Sequence, residues 1–456
     1  MNEKDLAGLS KEKLIEIILQ LYAENEQLKA RLDKLEKQRQ RPAKTPQNSS
    51  VPPSSGGKTN VKRTKKAKSK GKRGAKAGHK GQGRGRVKAE VVIECQLEVC
   101  PDCGADLTEA EQKLIGRSQV VEIPPVQPVV IEAERYGCRC PECHSFQAAA
   151  YPPGLEPERV FGARLEAIVT YLHQLHHLSY VRLQTVLTVL FGLLISVGAL
   201  VNLVQRSARR LEPAAQTIRD EIRQSRVVQS DETGARVAGQ NQWQWAFVTD
   251  TATYHVIAAS RGSGVIEEVM AEAVPLVWVS DLWSAQGKAK TKYRQICQAH
   301  QLRDLQYAID AERSAWAYRM QRLLLRSQRL VKQRTQLPAT LYWSAVAQLE
   351  ADCETLLIEP VLTSEAQRLQ RRYLKHRQSL FVFLYHPNVP FDNNASERAL
   401  RNSVIHRKVS GGFRSDFGAQ AHAIVSSVAD TARKRNQDIL TVLQQHIGQP
   451  ATNSCQ

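Results

Sequence analysis

The basic segment at residues 41–89 constrains this chain most. It holds sixteen lysines and arginines, no aspartate and no glutamate. Such a segment has too little apolar surface to offset the entropy lost on ordering, so it predicts a disordered linker. The chain should therefore fold as separate units on either side of it, and 456 residues are in any case too many for a single core.

Charge indicates the kind of partner. The net charge is +19, so a polyanion is the expected partner, and nucleic acid is expected before a membrane surface. Because 42% of the residues are hydrophobic, the chain can also form hydrophobic cores. A solubilising spacer is the alternative role for the basic segment. The chain start is acidic and polar, unlike a signal peptide, so a cytoplasmic location is expected. The linker residues expected to neutralise DNA phosphates are Lys65, Lys66, Lys72, Arg73 and Lys80.

Residues 10–38 lack glycine and proline and carry a seven-residue repeat. One position of the repeat is occupied by Leu14, Leu21, Leu28 and Leu35, and the second position of the coiled-coil stripe by Ile18, Asn25 and Leu32. Asn25 is the kind of polar residue that fixes the register of a coiled coil at some cost in stability. The strict spacing favours a self-associating, leucine zipper-like coiled coil over a solitary amphipathic helix.

Two Cys-Pro-x-Cys turns predict a structural zinc site. Cys100 and Cys103 form the first turn, and Cys140 and Cys143 form the second. Four thiolates supply the tetrahedral set of structural zinc and leave no open position for catalysis. Strands expected at 119–123 and 129–132 suit a zinc ribbon. Disulfide pairing is the alternative, and Cys95 and Cys138 remain alternate ligands.

Residues 161–226 follow a helical pattern. The 23 uncharged residues between Arg182 and Arg206 are long enough to raise a transmembrane span. Polar residues within that window, a helix end at Phe191–Gly192 and an N-cap at Ser196 favour two buried helices in a helix-turn-helix-like arrangement. Arg206, Arg209 and Arg210 would then face phosphates. His173, His176 and His177 are expected to be packing or surface residues rather than metal ligands.

The pattern changes after Arg226. Strands are predicted at 227–231, 242–248, 254–258 and 276–281, with a short helix at 266–273. Three antiparallel-type strands, a helix and a parallel strand are the order of an RNase H-like domain. If the first and fourth strands are neighbours, Asp231 and Asp281 meet at one edge of the sheet. Trp243 and Trp245 are expected in the core.

The two aspartates suit metal-dependent phosphodiester chemistry. Two divalent ions, Mg²⁺ or Mn²⁺, activate the attacking oxygen and neutralise the leaving one, and hard carboxylates hold them. Glu397 is the candidate third acid, with Arg398 and Arg401 beside it for DNA phosphates. The alternative is structural, because Asn394 as N-cap with Glu397 three residues later is close to a capping box. The aspartates could likewise merely end strands.

Taken together, these motifs resemble the DDE transposases of bacterial insertion-sequence family sixty-six. The resemblance includes the zipper, the Ala77–Gly81 linker motif, both cysteine turns, Ser230–Thr233, Cys297-x-x-His300 and the Asp392–Arg398 motif. It implies that Asp231, Asp281 and Glu397 are the acidic triad and that a helical insertion fills about 311–380. It further implies a bacterial, nucleoid-associated enzyme that hydrolyses a phosphodiester at each element end and then joins the freed 3′-hydroxyl to target DNA.

The expected architecture is multidomain α+β. The expected units are a coiled coil (1–40), a basic linker (41–90), a zinc ribbon (91–150), a helix-turn-helix-like domain (151–226), an RNase H-like core (227–310 and 381–445) interrupted by the helical insertion (311–380), and a tail (446–456). Arg398, Arg401, Lys408 and Arg414 are the expected phosphate clamps, and the expected partners are element and target DNA, further copies of the chain and companion proteins of the same element.

Three points stay open. Family members usually carry Gly and then Tyr after the second acid, whereas this chain has Leu282 and Trp283, which leaves metal binding intact and the local substrate contacts open. Cys297 and His300 could support the active site or pack, because a second metal site would need two more ligands. The alternatives to a transposase are a non-catalytic, sequence-specific DNA-binding protein derived from one, and a scaffold that binds nucleic acid indiscriminately.

Overall fold

The computed structural model describes residues 10–40, 42, 44, 85–157 and 159–449. The predicted disordered linker therefore falls almost wholly outside the described residues. So do its five predicted phosphate-binding residues, which are Lys65, Lys66, Lys72, Arg73 and Lys80.

The N-terminal repeat lies on one helix, α1 (Lys11–Gln40), of 30 residues. Ser10 precedes it, and its hydroxyl accepts a 3.4 Å hydrogen bond from the Lys13 amide, as an N-cap serine does. The side chain of Leu35 is outside the described set. The stripe is open to solvent on this single chain, since more than half of each of these side chains is exposed: Ile18, Leu21, Leu28 and Leu32.

The cysteine-containing segment, residues 85–157, has almost no buried side chains. Its regular structure is one small hairpin of β1 (Gly137–Arg139) and β2 (Phe146–Ala148). The strands predicted at 119–123 and 129–132 are wrong, because those residues pair with no strand in the described structure. Their apolar side chains reach no core, and an alternating pattern forms a strand only where a neighbour completes the ladder.

The helical pattern at 161–226 is confirmed. Helix α2 (Ala163–Thr170) continues into a π-helical turn (Tyr171–Leu175) and is followed by α3 (Tyr180–Phe191) and α4 (Val197–Gln224). Gly192 ends α3 with φ of 64°, a left-handed conformation that glycine adopts without strain. Ser196 caps α4 by accepting a 3.2 Å bond from the Ala199 amide. Both ends lie where the sequence predicts them.

The apolar window between Arg182 and Arg206 is divided between α3 and α4, which pack on each other through Leu183, Leu187 and Leu203. Among the described residues, no helix has the length and apolar character needed to cross a membrane. The transmembrane alternative for this window is therefore wrong.

Two of the three arginines expected to face phosphates are instead tied to a buried carboxylate. Glu166 on α2 is fully buried, and its oxygens lie 2.7 Å from Arg206, 3.2 Å from Arg159 and 3.7 Å from Arg210. Arg210 also donates to the Ile447 carbonyl. The expectation is wrong for Arg206 and Arg210, because a buried carboxylate must be paired and these guanidinium groups pair it.

The three histidines after α2 make packing contacts, as expected. His173 Nδ1 lies 2.8 Å from the Leu178 carbonyl, and His177 Nε2 lies 3.0 Å from Asn402 Oδ1. The ring of His176 lies 4.6 Å from that of Tyr171. These contacts attach the π-helical turn to its surroundings.

A five-stranded mixed sheet forms the centre of the second half of the chain. Its strands are β3 (Val227–Val237), β4 (Gln240–Val248), β5 (Thr253–Ala258), β6 (Val277–Ser280) and β7 (Tyr293–Ile296). The spatial order is β5-β4-β3-β6-β7, with β3, β4 and β5 antiparallel and β6 and β7 parallel to β3. The first and fourth strands are therefore neighbours, as the prediction required.

Strand β3 is longer than predicted. Asp231 does not end it, because residues from Asp231 to Val237 remain paired with β4, from Ala246 to Gln240. Pairing with β6, by contrast, stops at Gln229. Asp231 thus lies in mid-strand, at the point where one of its two neighbouring strands ends.

Helices cover both faces of the sheet. The remaining helices are α5 (Gly264–Met270), α6 (Gln298–Glu312), α7 (Ala315–Lys332), α8 (Ala339–Ile358), α9 (Ser364–Lys375), α10 (Val382–Tyr385), α11 (Asn394–Ala399), α12 (Arg401–Ser410), α13 (Asp416–Lys434) and α14 (Ile439–Gly448). Trp245 and Trp278 pack on one face against α4, α5, α13 and α14. Val279 and Ile296 pack on the other face against α6 to α9. Trp245 is fully buried as predicted, whereas Trp243 is only partly buried.

Replacing Glu166 with alanine should destabilise the fold by about 3–5 kcal/mol, because it leaves partly buried arginines without their counter-charge. The matched control is Glu272→Ala, whose carboxylate is 95% exposed in an ion pair with Lys290 and should cost less than about 0.5 kcal/mol. Urea denaturation midpoints of the two variants give the comparison. Equal midpoints would contradict a stabilising role for the buried ion pairs.

Candidate active site

Asp231 and Asp281 lie close together because their strands are paired. The parallel register of β3 and β6 ends at Gln229 opposite Val279, and each aspartate lies two residues beyond that pair. Neighbouring strands are about 4.8 Å apart, so both carboxyl groups lie at the same end of β6. The Asp281 charge acts directly on the pKa of Asp231. The sheet thus brings the two predicted acids together.

Glu397 lies on helix α11 and approaches Asp231 from there. Ala395 and Ala399 of α11 pack with Leu400 against Ala246 and Val248 of β4, next to the strand that carries Asp231. This packing fixes the helix on the sheet. Glu397 lies near enough to Asp231 for its charge to contribute to the raised pKa of that residue.

Glu397 is not part of a capping box. Helix α11 begins at Asn394, and the preceding Asn393 makes no side-chain capping bond. The Glu397 carboxylate faces α6 instead, with Oε1 3.4 Å from Arg303 Nη2 and 3.7 Å from His300 Nδ1. The structural alternative for this residue is therefore wrong.

Buried hydrogen bonds hold the three acidic segments together. Asn393 Nδ2 donates to the Ser230 carbonyl at 2.8 Å, and the Asn393 amide donates to Cys297 Sγ at 3.2 Å. The Cys297 amide in turn donates to the Ser280 carbonyl at 2.8 Å. Ser230 and Ser280 directly precede the two aspartates, and all four linking residues are fully buried. The spacing of the acids is therefore set by the protein interior.

Like charges raise the proton affinity of this site. The pKa of Asp231 is well above its usual range, first because of burial and then because of the charges of Asp281, Glu232 and Glu397. The pKa of Glu232 is raised by burial and by Asp281, although Gln286 and Arg261 oppose the shift. Neighbouring carboxylates repel one another when ionised, and a hard divalent cation such as Mg²⁺ or Mn²⁺ would offset that repulsion.

Cys297 and His300 lie beside Glu397. The possible ligand atoms of these three residues are within 4.8 Å of one another, which holds for no other group of three in the described chain. Burial raises the pKa of the Cys297 thiol to about 12, and its sulfur accepts from Asn393. These contacts favour support of the acidic segments, one of the two roles left open for this pair.

Several residues of the site are absent from the predictions. Arg303 follows His300 by three residues and therefore shares its helix face, a spacing that could have identified it. Glu232 and Asn393 lie within the motifs Ser230–Thr233 and Asp392–Arg398 that carry the family resemblance, whereas Gln286 carries no such signal. Gln286 is fully buried and donates to Glu232 Oε2 at 2.9 Å, a contact between segments 54 residues apart.

The four predicted phosphate clamps within the described chain follow Glu397. Their side chains are exposed: Arg398, Arg401, Lys408 and Arg414. They belong to α11, α12 and the turn after α12, so four exposed basic side chains follow the third acid along the chain. Arg407, in the same segment, is instead bonded to the Gly234 carbonyl of β3 and ties α12 to the sheet.

Each cysteine pair forms a preorganised turn. The Gly104 amide donates to the Cys100 carbonyl at 2.9 Å, and the His144 amide donates to the Cys140 carbonyl at 3.0 Å. Gly104 and His144 both have positive φ, of 75° and 55°. The pKa of Cys143 is lowered to about 7, first by its hydrogen bonds to Ser145, which favours the thiolate form that binds zinc.

The two turns do not meet as a four-sulfur cluster. Within the described chain, no three cysteine sulfurs lie within 4.8 Å of one another, and no disulfide joins the described cysteines. The reason is that this exposed segment has no core of its own to bring its ends together. In such segments the metal itself supplies the missing cross-link.

Comparison with known families agrees with these features. The model described as "Transposase IS66 family" matches residues 158–421, more than half of the chain. The model described as "zinc-finger binding domain of transposase IS66" matches residues 98–144, and a "Family of unknown function (DUF6444)" matches residues 4–85. No curated protein matches the chain.

These matches define a transposase with a zinc-finger domain, and hence a protein that binds DNA and has a structural Zn²⁺. The chain belongs to the IS66 family of transposases, which confirms the resemblance drawn from its motifs. The zinc-finger match contains Cys100, Cys103, Cys140 and Cys143, and also Cys138, but not Cys95.

The zinc content of cysteine variants should distinguish the cysteines that bind zinc from those that do not. The purified chain is expected to hold about one zinc ion, and Cys100→Ser or Cys140→Ser should lose it because three thiolates leave a tetrahedral site incomplete. Cys95→Ser and Cys138→Ser are the matched controls and should keep it. Elemental analysis of the purified variants provides the measurement, and loss of zinc in a control would move the site to that cysteine.

Proposed function

We propose that the chain is a DDE-type transposase that cuts DNA at the ends of its own element and joins the freed 3′-hydroxyl to target DNA. The observation that carries this proposal is that Asp231 and Asp281 lie at the same end of β6, with Glu397 near enough for its charge to act on Asp231. Their electrostatic coupling supports it independently of the family, since the charges of Asp281 and Glu397 both raise the pKa of Asp231.

The sheet supports an RNase H-like core for this chemistry. The strand order β5-β4-β3-β6-β7, with the antiparallel strands first in sequence, corresponds to the order predicted for such a domain. Helices α7, α8 and α9 lie between β7 and the segment carrying Glu397, where the helical insertion at 311–380 is proposed. The remaining proposed units are the coiled coil, linker, zinc ribbon and helix-turn-helix-like domain, with the boundaries given above.

Each acid has a proposed role. Asp231 and Asp281 would hold two divalent cations between them, and Glu397 would hold one of these. When bound, Mg²⁺ or Mn²⁺ activates the attacking oxygen and neutralises the leaving oxygen of the phosphodiester. His300 and Arg303 orient the Glu397 carboxylate, at the 3.7 and 3.4 Å contacts described above.

Basic residues would position the DNA. Arg398, Arg401, Lys408 and Arg414 are exposed and follow Glu397 along the chain, and they would contact phosphates on either side of the bond to be cut. The linker lysines and arginines would add affinity without sequence preference, and that affinity should fall steeply with salt. Self-association through α1 and help from companion proteins of the element complete the proposal.

Asp231→Asn tests the chemistry. Cleavage of a plasmid carrying the reading frame with its flanking DNA, in magnesium, should fall by about a hundredfold or more, because an amide cannot replace the charge of a metal-binding carboxylate. DNA binding, measured by gel shift, should stay nearly unchanged. The matched control is Asp310→Asn, which removes an exposed acid of α6.

Retained cleavage by Asp231→Asn would overturn the assignment of that acid. Specific DNA binding by the wild-type chain without any magnesium-dependent nicking would instead favour the non-catalytic, transposase-derived DNA-binding protein.

The zipper is tested by one leucine on the repeat and one beside it. Leu21 and Leu19 are 58% and 65% exposed on the same helix, but only Leu21 belongs to the seven-residue repeat. Leu21→Asp should reduce the mass measured by light scattering to that of a single chain, because a charge in a coiled-coil seam is left buried without a partner. Leu19→Asp should keep the oligomer, and dissociation of both variants would argue against the zipper.

A further inference from the structure

An exposed tryptophan stands beside the second acid. Trp283 lies two residues after Asp281 in the sequence. Its backbone amide donates to Asp281 Oδ1 at 2.9 Å, which ties the position of the residue to that carboxylate. The residue is 38% exposed, although burying an indole is normally favourable. A large aromatic surface is therefore open to solvent next to the acids.

The indole is backed by an arginine. The Arg261 guanidinium lies 3.7 Å from the Trp283 ring centre and 4.5 Å from that of Trp243, so it sits between two aromatic rings. The Trp283 indole nitrogen also donates to the Arg261 carbonyl, at 3.5 Å. Such cation–π contacts fix ring orientation. One face of the Trp283 indole is thus covered by Arg261, and its exposed surface lies elsewhere on the ring.

The charge of Arg261 is paired with that of Glu232. Its guanidinium donates to Glu232 Oε1 at 2.9 and 3.0 Å, and the Glu232 side chain is only 1% exposed. Glu232 Oε2 accepts from Gln286 at 2.9 Å. A guanidinium neutralised by a buried carboxylate is a poor phosphate ligand. The surface is therefore aromatic and close to neutral, which suits a flat apolar ligand better than an anion.

A nucleobase is a flat ligand with apolar faces, and the proposed DNA substrate would bring one close to Trp283. A phosphodiester held at Asp281 carries bases on both neighbouring nucleotides. A base within a duplex has both faces stacked on its neighbours, so only an unpaired base offers a free face to a protein ring.

We propose that Trp283, held against Arg261, is a stacking platform for an unpaired nucleobase next to the phosphodiester that is cut. This proposal rests on the function proposed above and adds a subsite to it. It makes Trp283 a DNA-binding residue and Arg261 the residue that positions it.

The test is a binding comparison without cleavage. The probes are a DNA hairpin with one unpaired 2-aminopurine at its 3′ end and the same hairpin with that base paired, both without added magnesium. Trp283→Ala should weaken binding of the unpaired probe about tenfold, the scale of one base stacked on an aromatic side chain, and change binding of the paired probe little. Trp283→Phe should retain most of the preference.

Trp343→Ala is the matched control. Trp343 is 43% exposed and lies 5.7 Å from the Arg334 guanidinium, so it is a comparable exposed indole on α8. Its loss should leave both affinities unchanged. In the wild-type chain, stacking should also quench the 2-aminopurine fluorescence, and Trp283→Ala should abolish the quenching.

Equal weakening of both probes by Trp283→Ala, or no quenching by the wild-type chain, would overturn the proposal. If Trp283→Ala does not fold, Trp283→Leu replaces it, because leucine fills space under Arg261 without providing an aromatic face. Failure of the proposed function is recognised separately, by the absence of magnesium-dependent nicking by the wild-type chain, since no cleavage is measured in the binding comparison.

Discussion

The proposed active site depends on holding three carboxyl groups near one another despite the repulsion between their charges. The parallel pairing of β3 with β6 brings Asp231 to Asp281, and the Asn393 side chain links the Glu397 segment to β3. These contacts are hydrogen bonds between fully buried groups, where breaking one leaves an unsatisfied polar atom. The buried hydrogen bonds therefore keep the acids in position, whereas on a flexible surface their repulsion would move them apart.

Around the acids, polar side chains replace what would otherwise be apolar core. Gln286 connects Trp278 on one side with Glu232 on the other, at 3.1 and 2.9 Å. Arg261 closes this network at the surface. A buried network of this kind costs little only when every member is satisfied, so it specifies a single arrangement of the segments it joins. In the proposed function, that rigidity would hold the carboxylates in place before a cation binds.

The two halves of the chain are stabilised by different means. From Ala163 onward, helices pack on both faces of a sheet and bury large aromatic side chains such as Trp245 and Trp278. The segment 85–157 buries almost nothing and depends on two cysteine turns. Metal coordination rather than hydrophobic burial is expected to stabilise this segment, which agrees with its match to a zinc-finger family.

The sequence by itself determined the local features. Helix ends at Gly192 and Ser196, the strands around the acids and the family followed from spacing and residue type, because caps, periodicity and short motifs are properties of neighbouring residues. Tertiary structure decided what joins distant segments. The pairing of Arg206 with Glu166, the link from Asn393 to Ser230 and the Arg261 contact with Trp283 connect residues 22 to 163 positions apart, and no local pattern carries that information. The extent of β3 and the unpaired state of 119–123 were likewise set by which neighbours were available to complete a ladder.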